Sequence, residues 1–109
     1  MSNKDIFDKL IKQNLNSLLK GLNISIFAYG QTSTGKTFTM KGDPKNNDGL
    51  IPLSIKEIFN SLNNKDSLIT KYVVKVSYSE IYNETVNDLI DSSKQNLEIR
   101  ESANKGIFV

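Results

Sequence analysis

The sequence predicts an α/β fold, part of a layered domain with a central sheet and helices on both faces, and three observations carry that prediction. Apolar residues recur at spacings of three and four over residues 5–22 and again over 51–62, the period of an amphipathic helix. Between them lies a short run of β-branched and aromatic residues, 24–29, set between Gly21 and Gly30 as a buried strand would be. A second such run, 70–82, is dense in Val, Tyr and Ile and alternates across Val74, Val76 and Tyr78. At 109 residues the chain is at most one small domain or a piece of a larger one.

The elements follow in order. Ile6, Phe7, Leu10, Ile11, Leu15, Leu18, Leu19 and Leu22 form the stripe of the first helix, which Gly21 is placed to stop. The strand 24–29 runs to Gly30. A helix is expected to start at Lys36 and to be interrupted by 41–49, an exposed loop rich in turn formers. Pro52 suits a first helical turn, and Ile51, Ile55, Ile58, Phe59 and Leu62 carry that helix onward. After the strand 70–82, residues 83–90 read as a short helical turn, 97–100 and 107–109 as brief strands, and 102–106 as the turn between them.

Composition excludes much chemistry. Without cysteine there is no disulfide, thiolate metal site or cysteine nucleophile, and without histidine there is no imidazole for zinc, for acid–base work near neutral pH or for a serine triad. What remains is backbone amides, lysine, hydroxyls, carboxylates and oxygen-bound metal, a set suited to phosphate chemistry. Fourteen basic and twelve acidic side chains leave a net charge of +2, with no block dense enough to imply a nucleic-acid partner. The first residues lack the apolar core of a signal peptide and no run approaches a bilayer span, so the expected setting is the cytosol, without a membrane partner.

One motif names a ligand class. Gly30, Gln31, Thr32, Ser33, Thr34, Gly35, Lys36 and Thr37 fit G-x-x-x-x-G-K-[ST] at every fixed position, after an expected strand and before an expected helix. The glycines let successive N–H groups turn inward and keep side chains out of the way of a polyphosphate. Lys36 supplies a cation toward the β- and γ-phosphates, the start of the next helix adds its positive dipole end, and Thr37 offers a hydroxyl to Mg²⁺. The motif alone stops at nucleoside triphosphate and leaves the reaction open.

The neighbouring residues narrow it. The run I-F-A-Y-G-Q-T-S-T-G-K-T-F-T-M over 26–40, the segment Gly49-Leu50-Ile51-Pro52, the block from Val76 to Glu84 and the segments 88–90 and 97–101 resemble the kinesin motor domain, in order and over nearly the whole chain. The resemblance implies a P-loop NTPase-type fold, with residues 1–109 as part of a motor head that hydrolyses ATP to move or exert force on microtubules. It implies ATP or ADP and Mg²⁺ as cofactors, tubulin as partner and a place in the cytoplasm or on the cytoskeleton, microtubules or spindle. It places Phe38 where an aromatic or histidine side chain commonly lies by the adenine, and gives 41–49 a gating role, with solvated surface as the equal alternative. Tyr78, Ile81 and Tyr82 are expected to pack a core strand. Glu80, Glu84, Asp88 and Asp91 receive no catalytic role.

The sequence departs from the family in ways that matter. Ser33 and Thr34 stand where glycine and serine are frequent, and Leu53 where many members carry arginine. No N-x-x-S-S-R-S-H-like first switch and no D-L-A-G-S-E second switch occurs in the 109 residues. Those loops would sense the γ-phosphate and position the attacking water, so this segment alone is expected to bind nucleotide without turnover. The alternatives are a truncated, non-catalytic paralogue that binds nucleotide or a motor partner without turnover, and a small nucleotide kinase or other P-loop enzyme, which would leave the Tyr78–Glu84 block unexplained. Strands cut from a larger sheet would expose unpaired edges, so marginal stability or self-association of the segment is expected.

Overall fold

The computed structural model describes residues 2–31, 35–45, 47–64 and 68–109. The chain divides into two compact units, Met1–Tyr72 and Val73–Val109.

The first unit is mainly helical. Helix α1 (Asn3–Ile6) runs into a π-helical turn, Phe7–Ile11, and then into α2 (Lys12–Leu19). Its start is fixed by a reciprocal box: the Asp5 N–H donates to the Ser2 hydroxyl and the Ser2 N–H to the Asp5 carboxylate, each at 3.1 Å. The expected stop at Gly21 is present, with φ +95°. The buried positions Phe7 and Leu15, with half-buried Ile11 between them, step by four rather than 3.6 because the π turn underwinds the helix. Leu10, expected in the apolar stripe, is therefore turned to solvent and 62% exposed.

Helix α3 (Lys36–Lys41) leads into a small antiparallel ribbon in which β1 (Gly42–Asp43) pairs with β2 (Asn47–Asp48). Helix α4 (Leu50–Leu62) follows at once. The expected loop 41–49 is thus a paired ribbon, and its base is tight. A Cβ on Gly42, whose φ is +83°, would fall inside the Asn47 carbonyl and 2.5 Å from the Gly49 nitrogen. A Cβ on Gly49 would clash with the Met40 carbonyl and lie 2.5 Å from the Gly42 nitrogen. The ends of α3 and α4 therefore meet backbone to backbone, which only two glycines permit. The core of this unit is Phe7, Leu15 and Leu50, with Ile6, Ile11, Ile26, Met40, Leu53 and Ile58 packed against it. On α4 the covered stripe is Leu50, Leu53, Ile58 and Leu62, while Ile51, Ile55 and Phe59, expected in it, form a second and exposed row.

The expected strand 24–29 forms no ladder among the described residues. Burial alternates over 24–27, with Ile24 and Ile26 half-covered and Ser25 and Phe27 exposed, and stops there, since Ala28 and Tyr29 are both exposed. Residues 70–78 of the expected long strand likewise make no ladder. The α/β class stands, but the sheets among the described residues are three two-stranded antiparallel ribbons.

Two of those ribbons make up the second unit. Strand β3 (Ser79–Tyr82) pairs with β4 (Thr85–Asp88), from Tyr82 opposite Thr85 to Ser79 opposite Asp88. Residues 83–90 are therefore a hairpin rather than a helical turn. Asn83 and Glu84 adopt φ +50° and +62°, the two positive values of a tight turn whose twist matches the flanking strands, and the Thr85 hydroxyl donates to the Tyr82 carbonyl at 2.6 Å. Strands β5 (Arg100–Ser102) and β6 (Gly106–Phe108) form the last ribbon, close to the two expected strands and their turn. Tyr78, Ile81 and Tyr82 do not pack a core strand: Ile81 is 78% exposed, because β3 has a neighbour on one edge and no layer over its face within this unit.

Candidate functional site

The glycine loop joins the irregular segment after Ile26 to α3. Thr32, Ser33 and Thr34 lie outside the described residues. Gly30 has φ +151° and Gly35, the residue before α3, has φ +88° and ψ 14°. That left-handed conformation suits glycine, and a Cβ at Gly35 would meet no described atom within 4 Å.

Lys36 is the first residue of α3 and is half-buried, and it has no carboxylate partner among the described residues. Thr37 follows on the exposed side. The Thr39 N–H donates to the Gly35 carbonyl at 3.0 Å, which closes the first helical turn around these two side chains. No group of three or more acidic side chains converges into a metal cage among the described residues. An uncompensated cation beside an exposed hydroxyl is a donor set that fits a metal-bound polyphosphate, with most of the negative charge brought by the ligand.

Phe38 is 44% exposed and lines a pocket of about 300 Å³ with Ser2, Asn3, Lys4, Asn47, Asp48 and Leu53. Leu53 is the other apolar side chain of that lining. Sequence reasoning missed Asn3, which is 7% exposed and donates from Nδ2 to the Phe38 carbonyl at 2.9 Å. A lone asparagine at a helix start carries no signal of that contact, 35 residues away.

The ribbon beside the pocket is held by its own polar groups. The Asp43 carboxylate accepts from the Asn47 side chain at 3.1 Å and the Lys45 N–H at 2.8 Å, which hold its pKa below the ordinary 3.8. Asp48 pairs with Lys56 of α4.

The acidic residues given no catalytic role serve as local structure. Asp88 accepts from the Ile90 and Asp91 N–H groups at 2.8 and 3.1 Å, and Asp91 accepts from the Ser93 N–H and hydroxyl. The Ser93 contacts, side chain first, draw the Asp91 pKa down. Glu80 accepts from Asn87 across the hairpin at 3.4 Å, and Glu84 occupies the turn.

Comparison with known proteins decides the family. The kinesin motor domain model matches residues 1–109. The chain belongs to the kinesin motor domain family. Kinesin-related protein 4 of Dictyostelium discoideum is 49% identical over 109 residues, covering 96% of this chain and 6% of that protein. Kinesin-related protein 11 of the same organism is 44% identical, covering 98% of this chain and 16% of that one. The kinesin heavy chain of Syncephalastrum racemosum is 45% identical, with 97% and 12% covered. A solved fast kinesin, described for its ATPase mechanism and interactions with microtubules, superposes with a TM-score of 0.89 at 39% identity. That match covers 99% of this chain and 31% of the solved one. The chain therefore spans under a third of the kinesin relatives it matches, and its α/β character is that of the corresponding part of a P-loop NTPase head.

Proposed function

We propose that the chain is the ATP-binding segment of a kinesin-type microtubule motor, which in a complete head couples ATP hydrolysis to movement or force. The observation that carries this reading is the G-x-x-x-x-G-K-T sequence of Gly30–Thr37, with Lys36 and Thr37 opening α3, in a chain of the kinesin motor family. Backbone N–H groups from Gly30 through Gly35, including those of Gln31, Thr32, Ser33 and Thr34, bind phosphate oxygens. The Lys36 ammonium adds a positive charge toward the β- and γ-phosphates, and the Thr37 hydroxyl is the protein's ligand to Mg²⁺. Bound Mg²⁺ neutralises charge on the phosphate oxygens. Phe38 offers a ring face to the adenine.

The 109 residues by themselves bind without turnover in this reading. They hold no histidine and no switch-like sequence to place an attacking water, and Asp88 and Asp91 are engaged in turns. The partner of the complete head is tubulin, its setting is the cytoplasmic cytoskeleton, and neither nucleic acid nor membrane is a partner. No described helix is long and apolar enough to cross a membrane. The exposed strand edges make self-association of the isolated segment an expected side reaction.

Calorimetry with Mg-ATP and Mg-ADP on the chain, beside Lys36→Ala, tests the reading. Saturable binding that the substitution abolishes is the expected result. Equal binding by both proteins would overturn the assignment of the loop.

A further inference from the structure

Asn3 is a buried polar residue that the phosphate-loop chemistry leaves unused. The Ser2–Asp5 box fixes the first turn of α1 and puts Asn3 at its first helical position. From there the side-chain amide reaches the Phe38 carbonyl at 2.9 Å, while the same oxygen accepts the Gly42 N–H that closes α3. A carbonyl has two lone pairs, so both bonds coexist.

Helix α3 needs such help. It has six residues, far fewer than the ~12–15 that make an isolated helix even marginal in water. It has no side-chain N-cap and none of its residues is fully buried. Burial and local propensity therefore do little to fix where this helix sits. Helix α1, in contrast, is boxed at its start and continues directly into Phe7, which is 2% exposed. The bond between them ties the poorly held helix to the well-held one.

We infer that Asn3 is a positioning residue, whose amide holds α3, and with it Lys36 and Thr37, in place against α1. Its bearing on nucleotide rests on the phosphate-loop reading, whereas the tether does not. The anchored carbonyl belongs to Phe38, the residue directly after Thr37 and two after Lys36.

The test is Asn3→Asp in the 109-residue chain. The carboxylate has nearly the same shape, cannot donate, and is favourable at a helix N-terminus, so α1 itself is not weakened. Amide hydrogen exchange at Met40, Lys41 and Gly42 is expected to rise at least about tenfold, as for one lost buried hydrogen bond with a carboxylate now set against the Phe38 carbonyl, and exchange in the second half of α4 is expected to stay unchanged. Unchanged exchange in α3 would overturn the tether. Should the variant fail to fold, NMR of the unaltered chain decides. Slowed exchange of one Asn3 side-chain amide proton, with a through-space contact to α3, supports the tether, and solvent-like exchange without that contact overturns it.

Mg-ADP calorimetry separates the two readings. A roughly tenfold weaker affinity in Asn3→Asp, beside complete loss in Lys36→Ala, is the expected pattern. Faster exchange with unaltered affinity would overturn the claim that the tether serves the site. Binding unaffected by Lys36→Ala would instead remove the phosphate-loop reading and leave the exchange result to judge the tether alone.

Discussion

Residues Met1–Tyr72 and Val73–Val109 differ in how they hold themselves together. The first unit buries Phe7, Leu15 and Leu50 in one cluster, with six partly covered apolar residues around it. The second has one buried apolar side chain, Val86, while Val73, Val76, Ile81, Ile99 and Ile107 are each at least 63% exposed. The apolar content of the two is similar in kind, and the difference is the secondary structure. A helix satisfies its own backbone and needs cover on one stripe, whereas a strand needs a neighbour on each edge and a layer on each buried face. The helical unit can therefore close on itself in a short stretch, and two isolated hairpins cannot.

The widest separation of the two is expected from core truncation. Phe7→Ala should cost about 4 kcal/mol in the first unit, against about 2 kcal/mol for Val86→Ala in the second, read from urea unfolding followed by helical circular dichroism and by strand amide exchange. Equal costs would mean that the hairpin unit has a core of the same quality. Gly49→Ala comes next. Its Cβ meets the Met40 carbonyl and the Gly42 nitrogen, so a loss of about 3 kcal/mol is expected, at the top of the range for overpacking. Gly21→Ala is the control within the same unit: with nothing near its Cβ and a φ of +95°, it should cost only the left-handed penalty, about 1 kcal/mol.

In the second unit the expected change has the opposite sign. Glu84 holds φ +62° in the hairpin turn, where glycine is at ease, so Glu84→Gly should stabilise β3–β4 by about 0.5 kcal/mol once the extra freedom of the unfolded chain is deducted. Slower amide exchange at Val86 would register it. A destabilisation would show that the turn is imposed from outside the hairpin.

The smallest effect is expected from acid. The Asp5 carboxylate is held below 3.8 first by the Ser2 N–H and then by its hydroxyl, and Asp43 and Asp91 are lowered by their own turn donors. A lowered native pKa contributes stability that is complete above the ordinary value and is lost as pH falls through the native one. All three groups are solvent-exposed, so the loss should be slight and confined to pH below about 3.8, visible as fraying of α1, the β1–β2 ribbon and the 91–94 turn. Ser2→Ala keeps the backbone N–H and should remove only the hydroxyl's share of the α1 part.

The same contrast explains what could be read from the sequence. Helices announce themselves within their own span, and the expected helices at 5–22, from Lys36 and to Leu62 are all present, with Gly21 ending the first. The π turn was not legible, because a single underwound turn leaves the apolar residues in place and changes only which of them face inward, as Leu10 shows. Which of two apolar rows on α4 is covered depends on neighbours the periodicity does not name. Strand-forming runs at 24–29 and 70–78 were recognisable, but a ladder is a property of two segments and neither run carries its partner's address. The 82–85 hairpin was missed because Asn83-Glu84 lacks the glycine that usually marks such a turn. In the candidate site, the G-x-x-x-x-G-K-T spacing singles out Lys36 and Thr37, which the structure places at the start of α3, while Asn3 became visible only when α1 and α3 were brought together.

The glycine pair at the base of the β1–β2 ribbon has a consequence for how this chain can vary in length. Because Gly42 and Gly49 meet backbone to backbone, the chain leaves α3 and enters α4 at nearly one point, and everything between Asp43 and Asn47 is a detour that returns to its origin. Residues added at the tip of that detour move neither helix, and each doubling of its length adds only about 0.6 kcal/mol of closure entropy. The two glycines fix the base, and the tip of the stretch they enclose is free to grow while Lys36, Thr37 and the start of α4 stay where they are.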